Sequence, residues 1–124
     1  MTIAFGCVLA AVFIPLFLTG YAKVGSGKYD NRSPREFLDK VEGQYKRANW
    51  AQLNAYEAFP PFAAGVIIAY VTGAPQDQAD TLAVLFILFR ILYSIFYIID
   101  RHVLRTTAWF LAFACIVGLF VISF

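Results

Sequence analysis

Residues 2–22 read TIAFGCVLAAVFIPLFLTGYA, a run without a single charge. About 20 consecutive apolar residues cross the hydrocarbon core of a bilayer as one helix, so this stretch decides the fold class. Outward from it the pattern alternates. Residues 23–47 hold seven Lys or Arg and four Asp or Glu, a polar loop. Residues 48–72 are mostly apolar, with Gln52, Asn54 and Glu57 among the exceptions. Residues 73–80, GAPQDQAD, form a short turn-rich link. Residues 81–99 are apolar except for Arg90, and residues 106–124 carry no charge. The reading is an all-α membrane protein, a single-domain bundle of four transmembrane helices over 2–22, 48–72, 81–99 and 106–124.

Composition excludes the other classes. The chain has 124 residues, 60% hydrophobic and 15% charged, with a mean hydropathy of +0.67. Soluble domains average about 45–50% apolar and about 25% charged, and a chain this short buries the smallest share of its surface. A disordered chain needs low hydrophobicity and high net charge, whereas this one carries +2. Cys7 and Cys115 lie in separate apolar runs, so neither a disulfide framework nor a metal site is expected, and nothing points to nucleic acid. A cleaved signal peptide would carry positive charge before its apolar run. Here the charge follows, from Lys23 onward.

Nine of the ten Lys and Arg lie in or beside residues 23–47 and 100–105, and none lies in 73–80 or at a terminus. The positive-inside rule places the two basic loops in the cytoplasm. Both termini then face the non-cytoplasmic side, and the pattern suits a bacterial inner membrane. Within the first loop, Ser33-Pro34-Arg35-Glu36 combines a cap residue, proline at the first helical position and an acid three after the cap. A helix is expected to start there and run on towards the second span, with Gly43 as a break.

Polar residues inside the spans carry the functional signal. An ionisable side chain within a bilayer costs about 2.5–3.5 kcal/mol on insertion scales and turns to the bundle interior. Glu57 lies ten residues into the second span, about 15 Å deep. Arg90 lies ten residues before the third span leaves, at a similar depth, so adjacent antiparallel helices are expected to pair the two. Arg47, Trp50, Asn54 and Glu57 share one helical face, and Arg90, Tyr93, Tyr97 and Asp100 share another. Arg105 stands at the cytoplasmic mouth of the fourth span. These stripes converge on a polar pocket suited to an anionic ligand with several polar groups, because guanidinium groups match carboxylates, a carboxylate takes an ammonium, and an amide both donates and accepts. Glutathione fits this chemistry, and so does a lipid headgroup. The same residues serve equally well as interhelical glue.

Three motifs carry a resemblance. Arg47-Ala48-Asn49-Trp50-Ala51-Gln52-Leu53-Asn54-Ala55-Tyr56-Glu57-Ala58-Phe59-Pro60 resembles the second-helix signature of the MAPEG family, the membrane-associated proteins of eicosanoid and glutathione metabolism. Arg90 followed by Tyr93 and Tyr97 resembles the third-helix signature, and Leu104-Arg105-Thr106 resembles the start of the fourth. The resemblance implies a homotrimer with glutathione bound between subunits. It implies that Gln52, Asn54, Glu57, Tyr93 and Tyr97 contact glutathione, that Arg105 stabilises its thiolate, and that a lipophilic second substrate arrives through membrane lipid. The implied activity is that of a microsomal-type glutathione transferase or peroxidase. Trp50 stands where characterised eukaryotic members carry a further arginine. One carboxylate contact is then lost, or supplied by Arg47 or a loop residue, and Arg90 is a further candidate for binding glutathione. The alternative is a non-catalytic small membrane subunit, or a lipid-binding protein, of a larger membrane complex.

Reporter fusions test the topology. A reporter at residue 124 is expected on the non-cytoplasmic side and one within 25–45 in the cytoplasm. A cytoplasmic C-terminus would refute the orientation.

Overall fold

The computed structural model describes residues 2–25 and 27–124. They form five helices: α1 (Ile3–Lys23), α2 (Pro34–Lys40), α3 (Gly43–Val71), α4 (Gln76–Ile98) and α5 (His102–Val121). α1, α4 and α5 are each long and apolar enough to cross a membrane. α3 is the longest at 29 residues, about 43 Å, but Lys46, Arg47, Asn49, Gln52, Asn54 and Glu57 crowd its first half. The four apolar runs of the sequence lie on these four long helices.

α1 packs along α3 and α4 packs along α5, while α3 also meets α4 and α5. Among the described residues α1 and α5 do not touch. α3 is therefore the helix that all the others meet, and its side chains decide what the interior contains. Small residues let it come close. Ala69 of α3 is buried in one cluster with Ala4, Ala11, Ala79, Ala83 and Ala112 of its neighbours, Ala51 is buried in another with Ala108 of α5, and Ala48 in a third with Ala22 of α1. A Cβ on Gly65 would press on Leu119 of α5 at 3.2 Å, and one on Gly118 of α5 would press on Leu82 of α4 at 3.1 Å. Small residues at helix contacts are how membrane helices gain dispersion energy without a hydrophobic drive between them. The apolar centre is a stacked pair of buried rings, Phe62 of α3 on Phe86 of α4, with centroids 3.9 Å apart. Outside, Phe13, Leu16 and Phe17 of α1, Leu88, Ile91 and Ile95 of α4, and Phe110, Phe113 and Val117 of α5 are exposed. An apolar surface this continuous is a surface for acyl chains.

The loop keeps both the expected helix start and the expected break beside Gly43. α2 starts at Pro34 as the cap motif predicts, although Ser33 contributes its backbone carbonyl rather than its side chain, accepting from Phe37 N at 3.0 Å. The helix does not run on. It stops at Lys40, Val41 turns extended, and α3 restarts at Gly43 with φ +59°, a left-handed backbone that glycine adopts without penalty. Burial explains the stop: Leu38 and Val41 are tucked into the bundle, which needs a corner that a continuous helix lacks.

At the opposite end α4 holds α1. Asp80 Oδ1 accepts from Ala4 N at 2.8 Å and from Gln76 Nε2 at 2.8 Å, while Thr2 Oγ1 accepts from Phe5 N at 3.1 Å. Two donors of the first turn of α1 are thus satisfied, one of them by a carboxylate that also meets the positive end of the helix dipole. Asp80→Ala is expected to destabilise the protein by about 1–2 kcal/mol, and Asp80→Asn by less because it keeps the acceptor. Thermal unfolding in one detergent measures both. Equal stability of Asp80→Ala and the parent would show that this cap does not hold α1.

Candidate functional site

Three polar groups of α3 face three different ways. Arg47 turns to α4, where Nε and Nη2 donate to the carbonyl of Ile98 at 3.0 and 2.9 Å. Ile98 is the last residue of α4, so a cation caps the negative end of that helix. Two positions from Asn54, and so on the far side of the helix, Gln52 turns to α1. Its Nε2 donates to Asn49 Oδ1 at 2.8 Å and its Oε1 accepts from the hydroxyl of Thr19. Asn54 and Glu57 turn the third way, towards α4 and α5, and Asn54 Nδ2 donates to Glu57 Oε2 at 3.3 Å.

The third direction opens a cleft of about 500 Å³, lined by Trp50, Leu53, Asn54 and Glu57 from α3 and by Tyr93 and Tyr97 from α4. Its wall is aromatic. Tyr93 and Tyr97, one helical turn apart, stand edge to face at 5.6 Å, and Trp50 lies 6.4 Å from Tyr97. Cations stand around these rings. Arg105 of α5 lies over Tyr97 at 4.5 Å, and Lys46 is 5.9 Å from Trp50. A guanidinium over a ring gains roughly 0.5–2 kcal/mol and is fixed in place without using any of its five donors.

Behind the cleft is a smaller cavity of about 150 Å³ that shares Asn54 and Glu57 with it. Arg90 lines the cavity and not the cleft. It is 3% exposed and lies over the ring of Tyr93 at 4.3 Å. The expected ion pair with Glu57 is not formed. Among the described residues the ion pair present is the exposed Lys40–Glu36 at 3.1 Å. Equal depth along two helices brings the groups to the same height, but Glu57 is exposed towards the cleft and Arg90 is drawn back onto Tyr93, so the cavity separates them.

The structure therefore brings together Asn54, Glu57, Tyr93, Tyr97 and Arg105. It sets Gln52 on the opposite face of α3, where a second pocket is lined by Arg35, Leu38, Asp39, Asn49, Gln52 and Tyr56. It occupies Arg47 with Ile98 and places Arg90 behind Tyr93. Trp109 and Asn49 were not anticipated. Trp109 follows Arg105 by one helical turn, so the spacing that placed Arg105 at the mouth also puts Trp109 on the same face. Asn49 lies three before Gln52 and was within reach of the same argument. No group of three or more His, Cys, Asp or Glu among the described residues could hold a metal ion.

These positions separate scaffold from site. Arg47→Ala removes two charge-assisted bonds to a helix end and is expected to cost about 1.5–3 kcal/mol of stability. Glu57→Gln is expected to stay within about 0.5 kcal/mol of the parent, since no cation depends on it directly. Unfolding of both in the same detergent decides this; a Glu57→Gln loss equal to that of Arg47→Ala would mean that a direct Glu57–Arg90 pair exists after all.

Comparison with known proteins places the chain in a family. Searches of curated proteins and of solved structures each return no match. The family model described as "MAPEG family" matches residues 1–124, a family of membrane proteins associated with glutathione. With three helices long and apolar enough to cross a bilayer, the chain is an integral membrane protein, and it belongs over its whole length to the MAPEG family.

Proposed function

We propose that this protein is a membrane-bound transferase or peroxidase that activates glutathione against lipophilic electrophiles. The observation that carries the reading is the cleft, where Asn54, Glu57, Tyr93 and Tyr97 line one wall beneath the half-buried guanidinium of Arg105. Family membership supports a glutathione-related activity in general. The chemistry of the cleft supports the assignment of parts.

A thiol is a weak nucleophile at neutral pH, and a nearby cation favours its thiolate. Arg105 is held by its face against Tyr97, so its N–H groups remain free to meet a sulfur anion. Glu57 offers a carboxylate to the ammonium of the ligand, Asn54 an amide to its peptide groups, and the two tyrosines their phenols. In the transfer step the sulfur supplies the electron pair of a new S–C bond, and the electrons of the broken bond depart with the leaving group. The thiol proton leaves to water through the open cleft. With a peroxide the thiolate attacks an oxygen, the alcohol departs, and a second glutathione completes the reduction to the disulfide and water. The second substrate reaches the cleft from the bilayer, across the exposed apolar faces of the helices.

The position of Gln52 argues for assembly. One chain offers two polar faces on opposite sides of α3, the cleft and the Gln52–Asn49–Arg35 pocket. In a homotrimer of four-span subunits the second face of one copy completes the cleft of the next, and glutathione lies between them. Arg47 and Arg90 then act on the site through the scaffold, by fixing α4 and Tyr93. Both termini lie on the non-cytoplasmic side, as in a bacterial inner membrane, and the basic loop meets cytoplasmic glutathione.

Arg105→Ala is expected to lower the conjugation rate about 10²–10³-fold, the usual loss on removing one group that stabilises developing charge. Its thermal midpoint and oligomeric state should stay near those of the parent, because Arg105 stands at the mouth and not in the core. Glutathione added to the parent should raise a thiolate absorbance that the variant lacks. If the parent binds glutathione without that absorbance, or if lost activity merely follows lost folded protein, the thiolate role of Arg105 fails and a non-catalytic binding subunit is the better reading.

A further inference from the structure

Two side chains end in polar atoms with nothing to bond. Arg90 Nη2 and Asn54 Oδ1 are both buried and have no hydrogen-bond partner, and both residues line the cavity of about 150 Å³ behind the cleft. The rest of that wall is apolar, with Phe86, Trp109, Ala112 and Ile116 around it and Glu57 at the junction with the cleft. The orientation of the Asn54 amide follows from its neighbour. Nδ2 donates to Glu57, which leaves Oδ1 for the cavity.

The two orphaned atoms make opposite demands. Nη2 needs an acceptor and Oδ1 needs a donor. A small anion would suit the arginine but face the Asn54 oxygen and the Glu57 carboxylate. A cation would face a guanidinium. Water supplies both a donor and an acceptor. A buried water needs two to four polar partners and about 10–15 Å³ of space, so the cavity has room for several and the polar atoms to hold them.

We propose that this cavity holds a small cluster of ordered water that bridges Arg90 Nη2, Asn54 Oδ1 and the Glu57 carboxylate, and that Arg90 is thereby a positioning residue for the cleft. It supports the cleft wall from behind at two points, Tyr93 through the ring contact and the Asn54–Glu57 pair through water. A bridged pair has a consequence that a closed one lacks. Glu57 feels the opposite charge, yet its oxygens stay open to a cation in the cleft. What the water does for a ligand rests on the glutathione reading above; the water itself does not.

The test is a high-resolution structure of the full chain in lipid, without thiol and after a bromide soak. The expected result is water within about 3.2 Å of both Arg90 Nη2 and Asn54 Oδ1. An empty cavity, a bromide ion at Arg90, or Glu57 bonded directly to Arg90 would each overturn the proposal. Ala112→Val fills the cavity from its apolar wall, and Ala58→Val does so from α3 should the first fail to fold. In whichever variant has lost the water, the Asn54–Glu57 hydrogen bond is expected to break or to split between conformers even without ligand. An unchanged Asn54–Glu57 pair with the water gone would end the positioning role. Calorimetric titration of the same variant with glutathione should show a Kd raised about tenfold, with the thiolate absorbance at saturation retained. No binding of glutathione to the parent would count against the cleft reading alone, because the ligand-free structures decide the water.

Discussion

A helix with a polar first half has to be held inside a bundle that faces lipid, and the rest of the structure follows from how its groups are satisfied. α3 carries Arg47, Asn49, Gln52, Asn54 and Glu57 within eleven residues. In hydrocarbon each unsatisfied polar group costs several kcal/mol. Some are satisfied within the fold. Arg47 takes the carbonyl that ends α4, and Gln52 and Asn49 take each other and Thr19 of α1. These bonds fix α1 and α4 on either side of α3 and leave Asn54 and Glu57 pointing into the remaining gap.

That gap is where the proposed site lies. The helices pack through alanine and glycine along much of their length, which brings backbones close and leaves little room. Where Trp50 of α3 instead lies beside Tyr93 and Tyr97 of α4, with Trp109 of α5 nearby, the side chains are large and a cleft and a cavity open. The cations there lie against rings, Arg105 on Tyr97 and Arg90 on Tyr93, instead of against carboxylates. A closed ion pair would use up the donors of the arginine and the oxygens of the acid. Ring contacts hold the guanidinium groups and keep their edges available.

The sequence is informative about what depends on one dimension and less so about what depends on three. Hydropathy gives the long apolar helices, because burial in lipid needs length and little else. Helical spacing gives the grouping of Asn54 with Glu57 and of Tyr93 with Tyr97, because both pairs lie on a single helix. Depth gave the same height to Glu57 and Arg90 but said nothing of side-chain direction, and there the structure differs: one turns to the cleft and the other to Tyr93. Gln52 enters beside Asn54 only through the family resemblance; two residues amount to more than half a turn, and within this chain it bonds Asn49 and Thr19 of α1. Arg47 reaches a backbone carbonyl 51 positions away, an acceptor that every residue possesses and that no spacing singles out. The corner at Val41 likewise depends on a burial site that only the assembled bundle provides.

In the proposed assembly the cleft of one chain and the Gln52 face of another hold one glutathione between them. A structure of the protein in lipid with glutathione bound tests it most directly. The expected result is a trimer with the ligand sulfur beside Arg105, its ammonium at Glu57 and a polar contact from the neighbouring copy's Gln52. Glutathione bound wholly within one chain, bound away from Arg105, or absent at saturating concentration would contradict it.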